Sequence, residues 1–237
     1  MERIVLVHGS VMGGRGTWAA QRPLAERFQL VVLDRPGFPP NPPVDRVDFE
    51  SDAALVAGLL EPRDHLVGHS YGGIVSLLAA ASRPDALRSL TVIEPPSTRV
   101  AAGVPAVDAF ARAGMELYAS AQTVEPDVYL RRFLAAVGSE YDPPSPLPPE
   151  LEHGARTLAV ERGPWEADIP LATLAKTSFP KLVVSGAHLE AYDVICGVLE
   201  RELRAERVVL PGYGHAVQRH PEFNDVLADF VDRASGA

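Results

Sequence analysis

His65-Leu66-Val67-Gly68-His69-Ser70-Tyr71-Gly72-Gly73 is the stretch on which the reading of the fold turns. His65 to Gly68 is a short apolar run of strand type, and the residues from Gly72 to Ser82 are small and apolar in a helical pattern. The chain therefore passes from strand to helix within a few residues, and at that junction stands a G-x-S-x-G pattern with one extra glycine. A serine on so sharp a turn has a strained backbone, and the flanking glycines leave room for neighbouring chain. The hydroxyl is pushed out above the sheet edge, at a helix N-terminus that favours developing negative charge. The pentapeptide alone is a weak signal, and its place between a strand and a helix gives it weight.

Outward from this junction the same rhythm repeats. Ile4-Val5-Leu6-Val7 and Leu30-Val31-Val32-Leu33 are buried-strand runs separated by a helical stretch from Trp18 to Arg27. A helix from Ser51 to Leu60, with Ser51 as N-cap, precedes His65, and Leu90-Thr91-Val92-Ile93 is the next strand. Short apolar strands separated by helices imply right-handed crossovers and a mostly parallel sheet covered on both faces, an α/β doubly wound architecture. From about Ser97 to Ser178 the strand-type runs stop and amphipathic helical patterns take over, Ala106 to Tyr118 and Pro126 to Val137 among them. Pro143-Pro144-Ser145-Pro146-Leu147-Pro148-Pro149 in this part reads as a stiff extended connector. The rhythm then resumes with strand Lys181 to Ser185, helix Ala191 to Leu203, strand Arg207 to Leu210 and helix Glu222 to Arg233. One sheet domain, residues 1–96 and 179–237, interrupted by a helical insertion at 97–178, fits this order better than two domains in tandem.

Composition narrows the partners. With 46% hydrophobic residues, the 237-residue chain can bury a sizeable core. Its net charge of −9, with no basic stripe, argues against nucleic acid. No stretch approaches the roughly 18 apolar residues of a membrane span, and the start lacks a signal sequence, so a cytoplasmic protein without a membrane partner is expected. The single cysteine, Cys196, excludes an internal disulfide or multi-cysteine metal site and reads as a buried small hydrophobe. The expected partner is a small-molecule substrate, with no metal or other cofactor, and a homodimer is allowed.

Serine needs a base, because a neutral hydroxyl is a poor nucleophile near neutral pH. Among seven histidines, His215 stands in Pro211-Gly212-Tyr213-Gly214-His215, directly after the last strand and at the same sheet edge as Ser70. His8 and His69 read as structural residues of tight turns, His65 begins a strand, His153 lies in the insertion, and His188 and His220 are loop residues.

Serine early and histidine late, each after a strand, resembles the α/β-hydrolase superfamily over nearly the whole chain. Leu6-Val7-His8-Gly9-Ser10 looks like its oxyanion loop and Asp34-Arg35-Pro36-Gly37-Phe38 like the loop after its second strand. The resemblance implies a helical cap, which 97–178 fits. It also implies an oxyanion hole from the backbone N–H groups of Ser10 and Tyr71, each such donor worth roughly 3 kcal/mol in the barrier. Most of the family carries the third member, an acid, three residues beyond a glycine after a later strand. Here that position is Leu189, with Glu190 and Asp193 displaced from it. A minority, the haloalkane dehalogenases among them, carries the acid after the strand that follows the nucleophile, where this chain has Glu94, 24 residues beyond Ser70. A carboxylate there is costly without a partner, which an imidazolium would supply. Glu94 is favoured, with Glu190 and Asp193 as alternatives, and a cap for a helix or an arginine pair as the bland role of Glu94.

Other features read structurally. Asp34 and Arg35 form a salt-linked turn, and Glu161 to Glu166 packs over the site. Trp18, Trp165, Tyr118, Tyr129 and Phe110 are core or pocket lining. The favoured function is a cofactor-free serine hydrolase acting on a small ester-like carbonyl through an acyl-enzyme. A lyase or carbon–carbon bond hydrolase on the same residues, and a non-catalytic ligand binder, are the alternatives.

Overall fold

Alternation along the apolar runs decides which layer each side chain joins. Ile4 and Leu6 pack on one side of the sheet with Trp18, Leu24, Phe28, Phe223, Leu227 and Phe230. Val5 and Val7 pack on the other, with Phe49, Val56, Ile74, Val75, Ile195 and Leu199. The run from Ile4 to Val7 thus feeds two cores, as a parallel sheet with helices on both faces requires.

The computed structural model describes residues 1–236, in the order β1 (Arg3–Val7), α1 (Gly14–Thr17), β2 (Gln29–Leu33), α2 (Phe49–Leu59), β3 (Asp64–His69), α3 (Tyr71–Ser82), β4 (Leu87–Ile93), α4 (Pro105–Ala119), α5 (Pro126–Ala136), α6 (Pro149–Leu158), α7 (Leu171–Leu174), β5 (Lys181–Ser185), α8 (Glu190–Leu203), β6 (Glu206–Val209) and α9 (Phe223–Ser235). The sheet order is β2-β1-β3-β4-β5-β6, and every neighbouring pair is parallel. All carboxyl ends therefore open on one edge, and the loops after β1, β3, β4, β5 and β6 meet there. Between β4 and β5 come α4 to α7, and a third apolar cluster joins Tyr129, Leu130, Leu151, Ala155 and Leu158 of α5 and α6 to Val11 beyond β1. Among the described residues no helix is long and apolar enough to cross a membrane.

Local chemistry moves three boundaries from where the sequence pattern puts them. The stretch after Trp18 is a 3₁₀ helix, Ala19–Glu26, with Pro23 inside it. A proline there has no N–H for an α-type bond and crowds the preceding turn. Helix α2 is capped by Asp48 rather than Ser51, because Asp48 Oδ1 accepts the N–H groups of Glu50 at 2.9 Å and Ser51 at 3.3 Å. The proline-rich connector ends at Pro148, and Pro149 opens α6 as its first residue, where its fixed φ suits the helix and its missing N–H is no loss.

Candidate active site

The turn from β3 to α3 holds Ser70 at φ 54°, a left-handed conformation that a residue with a Cβ adopts only under constraint. The glycines around it are required by close approach. A Cβ at Gly68 would lie 2.3 Å from the Gly72 carbonyl oxygen, and one at Gly72 would lie 2.4 Å from the carbonyl oxygens of Val7 and His8. The Ser70 N–H donates to the Ile93 carbonyl at 2.8 Å, which pins the turn to β4.

Ser70 Oγ is 2.9 Å from His215 Nε2, and His215 Nδ1–H donates to Glu94 Oε2 at 2.7 Å. With Nδ1 holding its proton, Nε2 is the nitrogen left to accept from the serine hydroxyl. His69 Nε2 donates to the His215 carbonyl at 2.8 Å, and the Tyr192 ring stacks on the His215 ring with centroids 4.6 Å apart. The imidazole is thus held along its backbone, on its face and at Nδ1. Glu94 is fully buried and sits at φ 44°. Burial by itself would raise its pKa. The close approach of His188, the hydrogen bond and charge of His215 and the Gly186 N–H at 2.7 Å outweigh it and hold the carboxyl at about 2.

The alternative acids lie elsewhere. Glu190 begins α8 and is exposed. Asp193 Oδ1 accepts from Ser185 Oγ at 3.1 Å and Arg207 Nη2 at 3.0 Å. Among the described residues neither carboxylate contacts His215. Nor does Glu94 cap a helix or pair with an arginine; it is buried between two imidazoles, the second being His188, whose Nδ1 lies 3.2 Å from Glu94 Oε1. In the sequence His188 reads as a plain loop residue. Its one available signal is its place two residues beyond Gly186, beside the position where most of the family carries an acid.

The N–H groups of Ser10 and Tyr71 make no hydrogen bond within the chain among the described residues, and both residues line the space around Ser70 Oγ. A buried ionic cluster fixes the loop that carries Ser10. Arg35, 1% exposed, donates to Asp52 at 2.8 Å, Glu161 at 3.1 Å and the Gly9 carbonyl at 2.8 Å. Glu161 also accepts from Ser10 Oγ at 2.5 Å and Tyr118 Oη at 3.2 Å. The expected salt link between Asp34 and Arg35 is absent among the described residues: Asp34 accepts the Gly14 N–H at 2.7 Å, while Arg35, fully buried, needs carboxylates that are buried with it.

Two cavities meet at Ser70. The larger, about 360 Å³, is lined by Phe133, Leu134, Val137 and Leu151 on one side and by His215 and Arg219 on the other. The smaller, about 40 Å³, lies under Phe110, Tyr118 and Trp165. Of the aromatic residues singled out in the sequence these three line a cavity, whereas Trp18 and Tyr129 are core. Donor atoms of Glu94, His188 and His215 lie within 4.8 Å of one another, yet the 2.7 Å between Glu94 Oε2 and His215 Nδ1 is the spacing of a shared proton. Two ligands of one tetrahedral ion at about 2.0–2.2 Å each stand more than about 3 Å apart.

The model of the alpha/beta hydrolase family matches residues 4–226. A pimeloyl-[acyl-carrier protein] methyl ester esterase of Aeromonas hydrophila is 31% identical, over 96% of this chain and 94% of that protein. A 2-(acetamidomethylene)succinate hydrolase of Mesorhizobium japonicum is 27% identical, over 88% of this chain and 80% of that protein. Among solved structures, a thermophilic esterase from Thermogutta terrifontis superposes with a TM-score of 0.76 at 20% identity, over 99% of this chain and 90% of that one, a likeness of fold.

Proposed function

The chain belongs to the alpha/beta hydrolase family, and from that premise we propose that it is a serine ester hydrolase that works through an acyl-enzyme, with Ser70 as nucleophile, His215 as general base and Glu94 as the acid that orients it. The observation that carries this reading is the continuous chain from Ser70 Oγ through His215 to Glu94, at 2.9 Å and 2.7 Å. His215 Nε2 takes the hydroxyl proton as Ser70 Oγ attacks the ester carbonyl. The negative charge that forms on the carbonyl oxygen meets the backbone N–H groups of Ser10 and Tyr71, which need no reorganisation to receive it. The imidazolium is stabilised by Glu94 and returns its proton to the leaving alcohol. A water then repeats the sequence in the other direction and releases the acid.

The meeting of two unequal cavities at the nucleophile supports a substrate with a short group on one side of the scissile bond and a longer, mainly apolar one on the other. The larger cavity is within the range of small-molecule sites. The similarity to a methyl ester esterase over nearly the whole chain supports the same division. Residues 97–178 act in this reading as a cap, since α5 and α6 supply the apolar wall of the larger cavity.

A panel of p-nitrophenyl and methyl esters of graded chain length tests the proposal. Wild-type protein is expected to turn over short to medium chains, and Ser70→Ala to lose about 10⁴–10⁶ in kcat. Equal turnover by the two proteins would remove Ser70 from the mechanism.

A further inference from the structure

Glu94 offers two oxygens, and the hydrolytic cycle uses one of them. Oε2 takes the proton of His215 Nδ1, while Oε1 faces the Gly186 N–H at 2.7 Å and His188 Nδ1 at 3.2 Å, the latter off the ideal hydrogen-bond axis. The other nitrogen of His188, Nε2, donates to the Val137 carbonyl at 3.1 Å, in the turn that closes α5. Val137 lines both cavities. One imidazole therefore joins three parts of the molecule: the loop after β5, the carboxylate after β4 and the end of α5.

We propose that His188 is a positioning residue for Glu94, clamping its Oε1 as an imidazolium and tying it to the Val137 carbonyl, so that the helical segment over the cavity is held in register with the Ser70–His215–Glu94 chain. The inference rests on the hydrolase reading of those three residues. Its chemical basis is donor arithmetic: both nitrogens of His188 face acceptors, and a neutral imidazole has one N–H. In the neutral form one nitrogen keeps a lone pair turned toward an acceptor, Nδ1 toward the Glu94 carboxylate or Nε2 toward the Val137 carbonyl, and protonation gives both acceptors a donor and makes the first contact an ion pair. Burial of the ring opposes the charge, but the close approach and charge of Glu94, with the Val137 carbonyl and Asp193, raise its pKa above the ordinary histidine value. Titratable groups come from every element around it. Glu94 lies on the β4 side, and the His215 ring from the loop after β6 has its centroid 6.0 Å away. Tyr192, 5.6 Å away, Asp193 and Cys196 belong to α8, and Glu140 from beyond α5 packs near Gly214.

A cation on Oε1 weakens the pull of Glu94 on a proton at His215. While His188 is charged, part of the carboxylate charge that faces His215 is offset. Once His188 is neutral or removed, the full carboxylate charge acts on His215 alone.

Two measurements test the clamp. In histidine NMR titrations of the wild-type protein, His188 is expected to titrate above about 6.5 and to fall back when Glu94→Gln removes the carboxylate charge. A His188 that titrates at or below 6.5 in the wild type overturns the proposal, and this arm needs no substrate, so it is independent of whether an ester is hydrolysed. In the pH profile of kcat/KM, His188→Gln is expected to move the acidic limb up by about 0.5–1 unit, the size of effect that like charges 6 Å apart exert at a dielectric between protein and water. Its kcat should fall about tenfold with KM little changed, as for other residues that orient a catalytic group. A purely structural His188 would lower activity or stability with the limb unmoved, and that outcome also overturns the proposal.

Discussion

Ser70 and Glu94 hold left-handed backbone conformations at the ends of neighbouring strands, and Val11 and Ala187 do the same in the loops beside them. Each such residue costs about 1–3 kcal/mol and persists because the surroundings over-determine it. Their gathering on one sheet edge is what aims a hydroxyl and a carboxylate at the same imidazole. Ser70 and His215 were legible in the sequence because each stands in a short glycine-marked loop directly after a strand. The place of Glu94 beside His215, ahead of Glu190 and Asp193, was legible too, since a buried strand end gives a carboxylate few other partners. His188 and the Arg35–Glu161 pair were not, because contacts between residues as far apart as 35 and 161 leave no trace in local pattern. The choice of acid is open to direct test. Glu94→Gln should lower kcat by about 10³–10⁴, the loss seen when a triad acid is made neutral, while Glu190→Gln, exposed at the start of α8, should stay within about twofold. Steady-state kinetics on both, with circular dichroism to establish that each is folded, reads the result.

Strand identity was plain from β-branched, apolar runs, but the beginnings of helices were decided by single side chains that periodicity does not weigh. Both Asp48 and Ser51 can cap a helix. Asp48 prevails because Phe49 is buried and belongs to the helix, which leaves the residue before it at the cap. Asp48 also pairs with Arg162 at 3.4 Å, across from the α6 side. Asp48→Ala is therefore expected to cost about 1 kcal/mol in urea unfolding, and Ser51→Ala, exposed in the first turn, less than about 0.5 kcal/mol. The reverse order would return the cap to Ser51. The 3₁₀ form of Ala19–Glu26 and the start of α6 at Pro149 follow from proline in the same local way. The placement of α5 and α6 over the sheet edge does not. It depends on Val11, Tyr129 and Leu151 meeting from distant parts of the chain.

For the whole molecule, buried titratable groups set the response to pH. Burial, with the charge of His215, holds His69 down to about 3, and burial with the charge of Arg35 lowers His8 well below its ordinary value. Both rings stay neutral in the folded chain while the unfolded chain takes up protons below about 6.5, so stability falls as pH drops from there toward 3. Glu94, held at about 2 against an ordinary 4.5, adds a loss between those values. Asp52 and Glu161, raised by burial, and His188, raised by Glu94, act in the opposite sense and soften the slope. Thermal unfolding is expected to show Tm falling steadily from pH 6.5 to 4.5, and His69→Gln should make the fall shallower; an unchanged slope in that variant would show that His69 is not a source of it. The central claim, that Ser70 is the nucleophile of an ester hydrolase, is tested most directly by treating the protein with a fluorophosphonate and mapping the adduct by peptide mass spectrometry. The account predicts one phosphonyl group, on Ser70, with loss of ester turnover in proportion to labelling and no adduct in His215→Ala. Full ester turnover with Ser70 unlabelled, or an adduct on another residue that abolishes activity, would contradict it.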